Sequence, residues 1–328
     1  MAADVLIVGQ GLAGTLLAWE FERAGIAFAL ADGGHRRAAT MAAAGIINPI
    51  TGRRLVKSWR IDTLRPAAAA VFRELEVALG VPLWHEMRVR RLFADARERE
   101  IFSAKQARGE LAPFAGEADE AGFWIHGAAR VEVGALLAAA RARWRSAGRL
   151  CEEVTDLGEV APRFAQVIDC TGVAATGQEK FRSLPWEHAK GEVLAVAVAG
   201  LAPDVILNRR HWIVPVGEGA AWVGATHEPA TRDGEPSGAA RVALERSACE
   251  LLAGRAFTVT GQRAGVRVYL PDKRPVAGCL AGCDRIGLLN GLGSKGALWA
   301  PFLARQWVRH LTAGASFDPE IGVGRFVR

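Results

Sequence analysis

The chain has little of what would cross-link it, anchor it in a bilayer or hold a metal. Only five of its 328 residues are cysteines, Cys151, Cys170, Cys249, Cys279 and Cys283. Their odd number and scattered positions argue against a disulfide framework. Cys279 and Cys283 form a CxxxC pair, but no second Cys/His pair stands nearby to complete a zinc site. They read as small buried hydrophobes, and no metal is expected. The first apolar stretch is interrupted by Gly9, Gly11 and Gly14 and lacks a basic lead segment. It therefore reads as neither a signal peptide nor a membrane span, and a cytoplasmic protein is expected. The chain shows no internal repeat, heptad or low-complexity tract, no zinc-finger spacing and no RNA-recognition aromatic motif. Nucleic-acid contact is possible but no motif indicates it.

Against these absences stands a hydrophobic content of 50%, enough for the core of one large or two medium domains. Net charge is +6, and arginine supplies most of the 41 basic residues. The densest basic stretch, Thr51-Gly52-Arg53-Arg54-Leu55-Val56-Lys57-Ser58-Trp59-Arg60, suits contact with phosphates or an acidic substrate, and equally suits a solvated loop and helix edge.

The opening segment carries the first chemical signal. Asp4-Val5-Leu6-Ile7-Val8 reads as a buried strand, and Thr15 to Ala24 as a helix that Gly25 ends. Between them lies Gly9-Gln10-Gly11-Leu12-Ala13-Gly14. A strand, a tight glycine turn and a helix N-terminus make a pyrophosphate cradle, because backbone N–H groups and the helix dipole converge on the negative charge. Gly9 allows the turn, Gly11 the approach of a phosphate, and Gly14 the packing of helix on strand. A second strand, Ile26 to Ala31, ends at Asp32, placed to accept from ribose hydroxyls. An acid there disfavours a 2′-phosphate, which leaves NAD or FAD.

Downstream, a loop of small residues, Gly33 to Gly45, leads into Ile46-Ile47-Asn48-Pro49 and stays near the ligand. Helices are expected over 64–79, 131–147, 239–253 and 295–311, with strands over 87–94, 150–154, 166–170, 191–198 and 257–270. His211 to Pro215 pairs with Ala221 to Thr226 across Gly217-Glu218-Gly219, and Ile286 to Leu289 rejoins the parallel sheet. The pattern predicts a mixed α/β (α+β) fold: a Rossmann-like, discontinuous nucleotide domain over 1–85, 128–182 and 272–328, with an inserted antiparallel-sheet substrate domain over 86–127 and 183–271.

A second glycine turn, Gly291-Leu292-Gly293-Ser294-Lys295-Gly296, precedes the last helix and Ala300-Pro301. A helix starting there aims its free N–H groups and positive end at whatever lies above it. A flavin ring placed there would gain stabilisation of the charge that develops on reduction. With Gly265-Val266-Arg267-Val268-Tyr269-Leu270-Pro271-Asp272-Lys273-Arg274-Pro275, Thr40-Met41-Ala42-Ala43-Ala44-Gly45-Ile46-Ile47-Asn48-Pro49, Lys190-Gly191-Glu192-Val193 and Val223-Gly224-Ala225-Thr226, the chain resembles the FAD-dependent D-amino-acid-oxidase-like superfamily over nearly its whole length. That superfamily includes glycine and sarcosine oxidases and amino-acid dehydrogenases.

The resemblance implies FAD held by Gly9, Gly11, Leu12, Ala13, Gly14, Asp32, Thr40, Ala44, Gly45, Ile46, Thr171, Gly172, Arg267, Gly291, Gly293, Ser294, Lys295 and Gly296. It further implies that Arg267 pairs with a substrate carboxylate, fixing both distance and orientation of the α-carbon. Tyr269, the single tyrosine, lies two residues on and faces the same side of a strand. The implied reaction passes hydride from the α-carbon of a neutral amine to flavin N5, leaving an imine that water hydrolyses. Asp272 fixes its own turn rather than acting as a base. Of the histidines, His211 and His227 stand nearest the expected site.

Three departures matter. Trp222 occupies the position of the lysine that promotes oxygen reaction in sarcosine-oxidase relatives, so oxygen as acceptor is open. Arg267 stands where those relatives carry a flavin-linking cysteine, so FAD is expected to be non-covalent. Leu292 replaces the usual histidine of the late turn. That turn is also similar to the oxidase domain of the bifunctional tRNA wobble-uridine modification enzyme, which acts on a carboxymethylaminomethyl group, itself an N-substituted glycine. Three readings follow: oxidation of a small amine or amino acid, oxidation of that tRNA group, and flavin binding without turnover.

Overall fold

The computed structural model describes residues 4–34, 38–152, 157–280, 282 and 285–326. Cys283 of the CxxxC pair and the far end of the strand expected over 150–154 fall outside them. The chain opens with β1 (Val5–Val8), α1 (Leu12–Arg23) and β2 (Phe28–Ala31), followed by the short strands β3 (Ile46–Ile47), β4 (Ile50–Thr51) and β5 (Val56–Lys57). Then come α2 (Ile61–Leu79), β6 (Trp84–Leu92), α3 (Ala96–Ala107), β7 (Ala115–Ala118), β8 (Gly122–Val131), α4 (Val133–Ser146) and β9 (Leu150–Cys151). The short α5 (Leu157–Val160) precedes β10 (Gln166–Asp169), β11 (Glu187–Ala197), β12 (Val205–Asn208), β13 (Trp212–Gly217), β14 (Ala220–Gly224) and β15 (Glu228–Pro229). The chain closes with α6 (Gly238–Leu252), β16 (Thr258–Tyr269), β17 (Val276–Cys279), β18 (Ile286–Asn290) and α7 (Gly296–Ala313).

Six of these strands lie side by side in the order β17-β18-β10-β1-β2-β9. All neighbours are parallel except β17, which runs antiparallel at one edge. Val5, Leu6, Ile7 and Val8 are all buried, as expected of a central parallel strand covered on both faces. Leu16, Leu17 and Phe21 of α1 share a core with Phe72 of α2, Trp144 of α4, and Leu303 and Trp307 of α7.

The second sheet runs β15-β11-β14-β13-β12-β6-β8-β3, with β16 on β11 and β7 on β8. It is antiparallel except where β12 meets β6. The β11/β16 ladder is long: Glu187 stands opposite Tyr269, Ala189 opposite Arg267 and Gly191 opposite Gly265. The hairpin read across Gly217-Glu218-Gly219 is present, with Trp212 opposite Gly224 and Ile213 opposite Val223.

The structure differs from the expectation at α2, which begins at Ile61 and so leaves Pro66 past the first turn. Tertiary contact sets this start. Arg60 adopts a left-handed conformation (φ 51°), and its guanidinium is held by Asp318 at 2.5 Å and by Glu320. The strand β8 and helix α3 were not foreseen. The apolar residues of β8 continue directly into α4 and hide the change of period, while α3 is polar on most of its surface with only Glu98 and Phe102 buried.

Candidate active site

The first glycine turn is as tight as its residues allow. Gly9 has φ +95°, and a Cβ there would meet Cys170 O at 2.9 Å, while one at Gly14 would lie 1.9 Å from Gly9 O. Only bare backbone lets β1, β10 and α1 approach this closely. Helix α1 starts with no side-chain cap and no acid in its first turn. Leu12 N donates to Thr40 Oγ1 at 3.3 Å, and Gly11, Leu12 and Ala13 line a cavity. At the end of β2, Asp32 accepts from Gln10 N at 2.7 Å and Gly34 N at 2.8 Å, and pairs with Arg141 at 2.9 Å.

The late glycine turn forms the opposite end. Asn290 Nδ2 donates to Gly172 O at 2.8 Å, which ties β18 to the residues after β10. Gly291 and Gly293 take φ of 71° and 52°, and Gly293 N donates to Val268 O at 3.0 Å. Helix α7 then begins, again with no side-chain cap and no acid in its first turn.

A cavity of about 530 Å³ runs between the two helix starts. Its wall includes Gly9, Gly11, Leu12, Ala13, Asp32 and Thr40 at one end, Ala44, Gly45, Ile46, Thr171 and Gly172 in the middle, and Arg267, Gly293, Ser294 and Gly296 at the other. Gly14 and Gly291 lie behind this wall, where they let backbone segments pack. The residues present fit a flavin dinucleotide: an elongated cavity with an uncapped helix N-terminus at each end and an acid beyond one of them matches a diphosphate, a redox ring and a ribose.

Arg267 projects from β16 into the ring end. A Cβ at Gly191 would lie 2.1 Å from Arg267 Nη2 and 2.4 Å from Cζ, so the guanidinium lies directly over the bare backbone of β11. Nη1 donates to Thr226 O at 3.3 Å, and no carboxylate pairs with the guanidinium among the described residues. Burial pushes its pKa down, yet a guanidinium stays charged at any physiological pH. A partly desolvated fork with no anion beside it is stabilised when a ligand carboxylate completes it.

Tyr269 stands beside this arginine on the strand. His227 stacks against its ring, with centroids 6.3 Å apart and planes 24° apart, and Lys273 Nζ sits 3.8 Å from the ring centroid. Burial, then the charges of Arg267 and Lys273, hold the His227 pKa down, so the imidazole is neutral near neutral pH. Asp272 fixes local structure: it accepts from Arg274 N at 3.0 Å and from Arg325 Nε at 2.9 Å. His211 bonds Ser247 at 2.7 Å, and Trp222 packs under Arg263 with 5.2 Å from guanidinium to ring. Neither lines the dinucleotide cavity.

Beyond the ring end opens a second cavity of about 780 Å³, which shares Ile46, Trp212 and Ser294 with the first. Lys295 turns into it and donates to Ser58 Oγ at 2.8 Å and Thr51 Oγ1 at 3.1 Å. With only hydroxyl partners among the described residues, its ammonium is pushed down by desolvation to about 8.

Sequence reasoning missed the roles of Gly191, Gly265 and Arg141. The two strand glycines carried a signal, since glycine inside a strand marks close approach of another group. Gly265 packs against Ala39, whose Cα would be 2.8 Å from an added Cβ. Arg141, on α4, carried none.

Comparison with known proteins agrees with this geometry. A family model described as FAD dependent oxidoreductase (DAO) matches residues 4–309. The chain is 31% identical over 323 residues to the tRNA 5-methylaminomethyl-2-thiouridine biosynthesis bifunctional protein MnmC of Maricaulis maris, covering 94% of this chain and 52% of that protein. It thus spans about half the length of this relative. It is 25% identical to the glycine oxidase of Pseudomonas aeruginosa, covering 93% of each. Among solved structures, the glycine oxidase of Geobacillus kaustophilus superposes with a TM-score of 0.78 at 22% identity, covering 97% of each chain. The iminodiacetate oxidase of Chelativorans sp. BNC1 gives 0.77 at 20%, covering 97% of this chain and 99% of that one. The chain belongs to the DAO family of FAD-dependent oxidoreductases.

Proposed function

We propose that the protein oxidises the C–N bond of an amine that carries a carboxylate on the same carbon skeleton, an amino acid or N-substituted glycine. One observation carries this reading: Arg267 is half-buried in the wall of the cavity's ring end with no carboxylate partner among the described residues. A substrate carboxylate completes it through two parallel N–H···O bonds, and such a pair sets the direction as well as the depth of the α-carbon.

FAD, when bound, supplies the two-electron acceptor for the α-hydrogen and its electron pair. The protein's own contribution is placement and electrostatics. The cation Arg267 disfavours a charged ammonium nearby, which favours the free amine needed for the nitrogen lone pair to form the C=N bond. The uncapped N-terminus of α7 stabilises negative charge at the ring end. Water then hydrolyses the imine, and no strong protein base is required. On this reading the first sheet serves the nucleotide and the β11/β16 region serves the substrate, the division expected over 1–85, 128–182 and 272–328 against 86–127 and 183–271.

A second reading is oxidation of a carboxymethylaminomethyl group on tRNA, favoured by the 31% identity to MnmC. It uses the same bond and the same arginine. The test is anaerobic titration of FAD-loaded protein with glycine, N-substituted glycines, other amino acids and tRNA bearing the modified uridine, followed by mixing with oxygen or a dye. Bleaching of the flavin with stoichiometric carbonyl product supports the reading and identifies the donor. Failure across the panel would favour a flavin-binding protein without turnover.

A further inference from the structure

We propose that the second cavity, beyond the ring end of the dinucleotide site, is a phosphate subsite, so that the amine donor carries a phosphate ester besides its carboxylate. The proposal rests on the amine-oxidation reading for what the subsite serves, though not for whether it binds.

The charge balance of the cavity carries the argument. Among the described residues, seven cationic side chains line it against two carboxylates, and both carboxylates are engaged. Glu98 accepts from Arg91 and from Ala94 N, the latter at 2.7 Å, and Asp95 caps α3 by accepting from Glu98 N at 2.9 Å. Arg53, Arg54, Arg97 and Arg210 line the same space as exposed side chains with no ion pair among the described residues. Lys295 is half-buried there and donates to two hydroxyls, and Arg91 Nε is buried with no hydrogen-bond partner among the described residues.

A cluster of like charges around a concave space focuses the field there and raises the local concentration of anions. A carboxylate, with two oxygens, satisfies one fork. A phosphate presents three or more oxygens over a wider arc and engages several guanidiniums at once. The cavity's volume of about 780 Å³ lies within the range of small-ligand sites and would take a nucleotide-sized group. Its shared wall at Ile46, Trp212 and Ser294 lets one substrate place its amine by Arg267 and its phosphate here. A mononucleotide offers this in its terminal phosphate, and an RNA backbone offers successive phosphodiesters, each with two free oxygens, that spread over the same arc.

Calorimetric titration of the FAD-loaded protein tests the proposal, with cytidine 5′-monophosphate, a short oligocytidylate, and cytidine as the phosphate-free control. Cytidine cannot imitate the adenosine half of FAD. At least one phosphate ligand should bind, cytidine should not, and Arg53→Ala/Arg54→Ala/Arg210→Ala should weaken binding at least tenfold. Binding of the mononucleotide identifies a small-molecule source, whereas binding of the oligomer alone identifies a polymer. Melting temperature and flavin content show whether the triple variant is folded, and Arg210→Gln alone, expected to weaken binding several-fold, serves if it is not. Equal binding of cytidine, an unaltered affinity in the folded variant, or no phosphate binding in the millimolar range would overturn the proposal. Flavin bleaching by amino acids without phosphate binding would remove the subsite and leave the amine-oxidation reading intact. Phosphate binding without any bleaching would do the reverse.

Discussion

The guanidinium of Arg267 rests on the bare Cα of Gly191, at a spacing that leaves no room for a methyl group: Nη2 would be 2.1 Å from an added Cβ. The two residues lie on adjacent strands, two rungs of the β11/β16 ladder apart. Gly191→Ala should therefore displace the fork while the strand pairing persists. The expected result is a fall in kcat/KM for a carboxylate-bearing amine of about tenfold to a hundredfold, mostly through KM, because a displaced fork loses the paired bonds that hold the carboxylate in ground and transition state alike. Steady-state kinetics checks it, and an unchanged KM would show that the arginine does not need this seat.

Gly14→Ala should cost the protein its cofactor. A Cβ at Gly14 would lie 1.9 Å from Gly9 O, so α1 would have to move off β1 and carry its N-terminus away from the diphosphate. Flavin content per chain after purification should fall to a small fraction of the wild-type value. Retention of full flavin would mean that the turn tolerates the shift.

Legibility of the sequence followed local chemistry. The β1-turn-α1 unit could be read because Gly9, Gly11 and Gly14 each answer a separate steric demand within a few residues. The late turn at Gly291 and Gly293 was readable for the same reason, and so were β11, β13, β14 and β16. What escaped was made by partners far apart in the chain. Arg60 starts α2 because Asp318 and Glu320 hold it. Lys295 points away from the dinucleotide cavity because Thr51 and Ser58 take its ammonium. The seat that Gly191 offers to Arg267 exists only once β11 and β16 are paired, so the residue types alone could suggest a carboxylate clamp but not its foundation.

Arg141 is expected to support dinucleotide binding indirectly. It donates to Asp32 Oδ1 at 2.9 Å and to Gln10 Oε1 at 2.8 Å, and so steadies the acid and the glycine turn together. Arg141→Met should weaken FAD binding by about tenfold, the loss expected for one charge-assisted bond of about 1.5 kcal/mol. Titration of stripped protein with FAD measures this, and an unchanged Kd would assign Arg141 to surface pairing alone.

Lys295 makes stability depend on alkaline pH. Burial lowers its ammonium to about 8 in the folded protein, whereas the unfolded chain protonates the same amine up to about 10.4. Between those values the unfolded state binds a proton that the native state does not, so stability rises with pH across the window, and the penalty is fully present below it. Lys295→Met removes the penalty, worth about 3 kcal/mol at most, and loses two hydrogen bonds to hydroxyls. The stability difference between wild type and variant should therefore shift in favour of wild type as pH rises from about 8 to 10. Melting curves of the two proteins that stay parallel over that range would contradict it.

Anaerobic reduction of the flavin by an amino-carboxylate donor, compared between wild type and Arg267→Ala, tests the central claim most directly. The account predicts bleaching by the wild type and a loss in the variant of on the order of 2–5 kcal/mol in apparent donor binding, with flavin still bound. The matching amine without a carboxylate should reduce both proteins equally poorly. Equal reduction of wild type and variant by the carboxylate donor would contradict it.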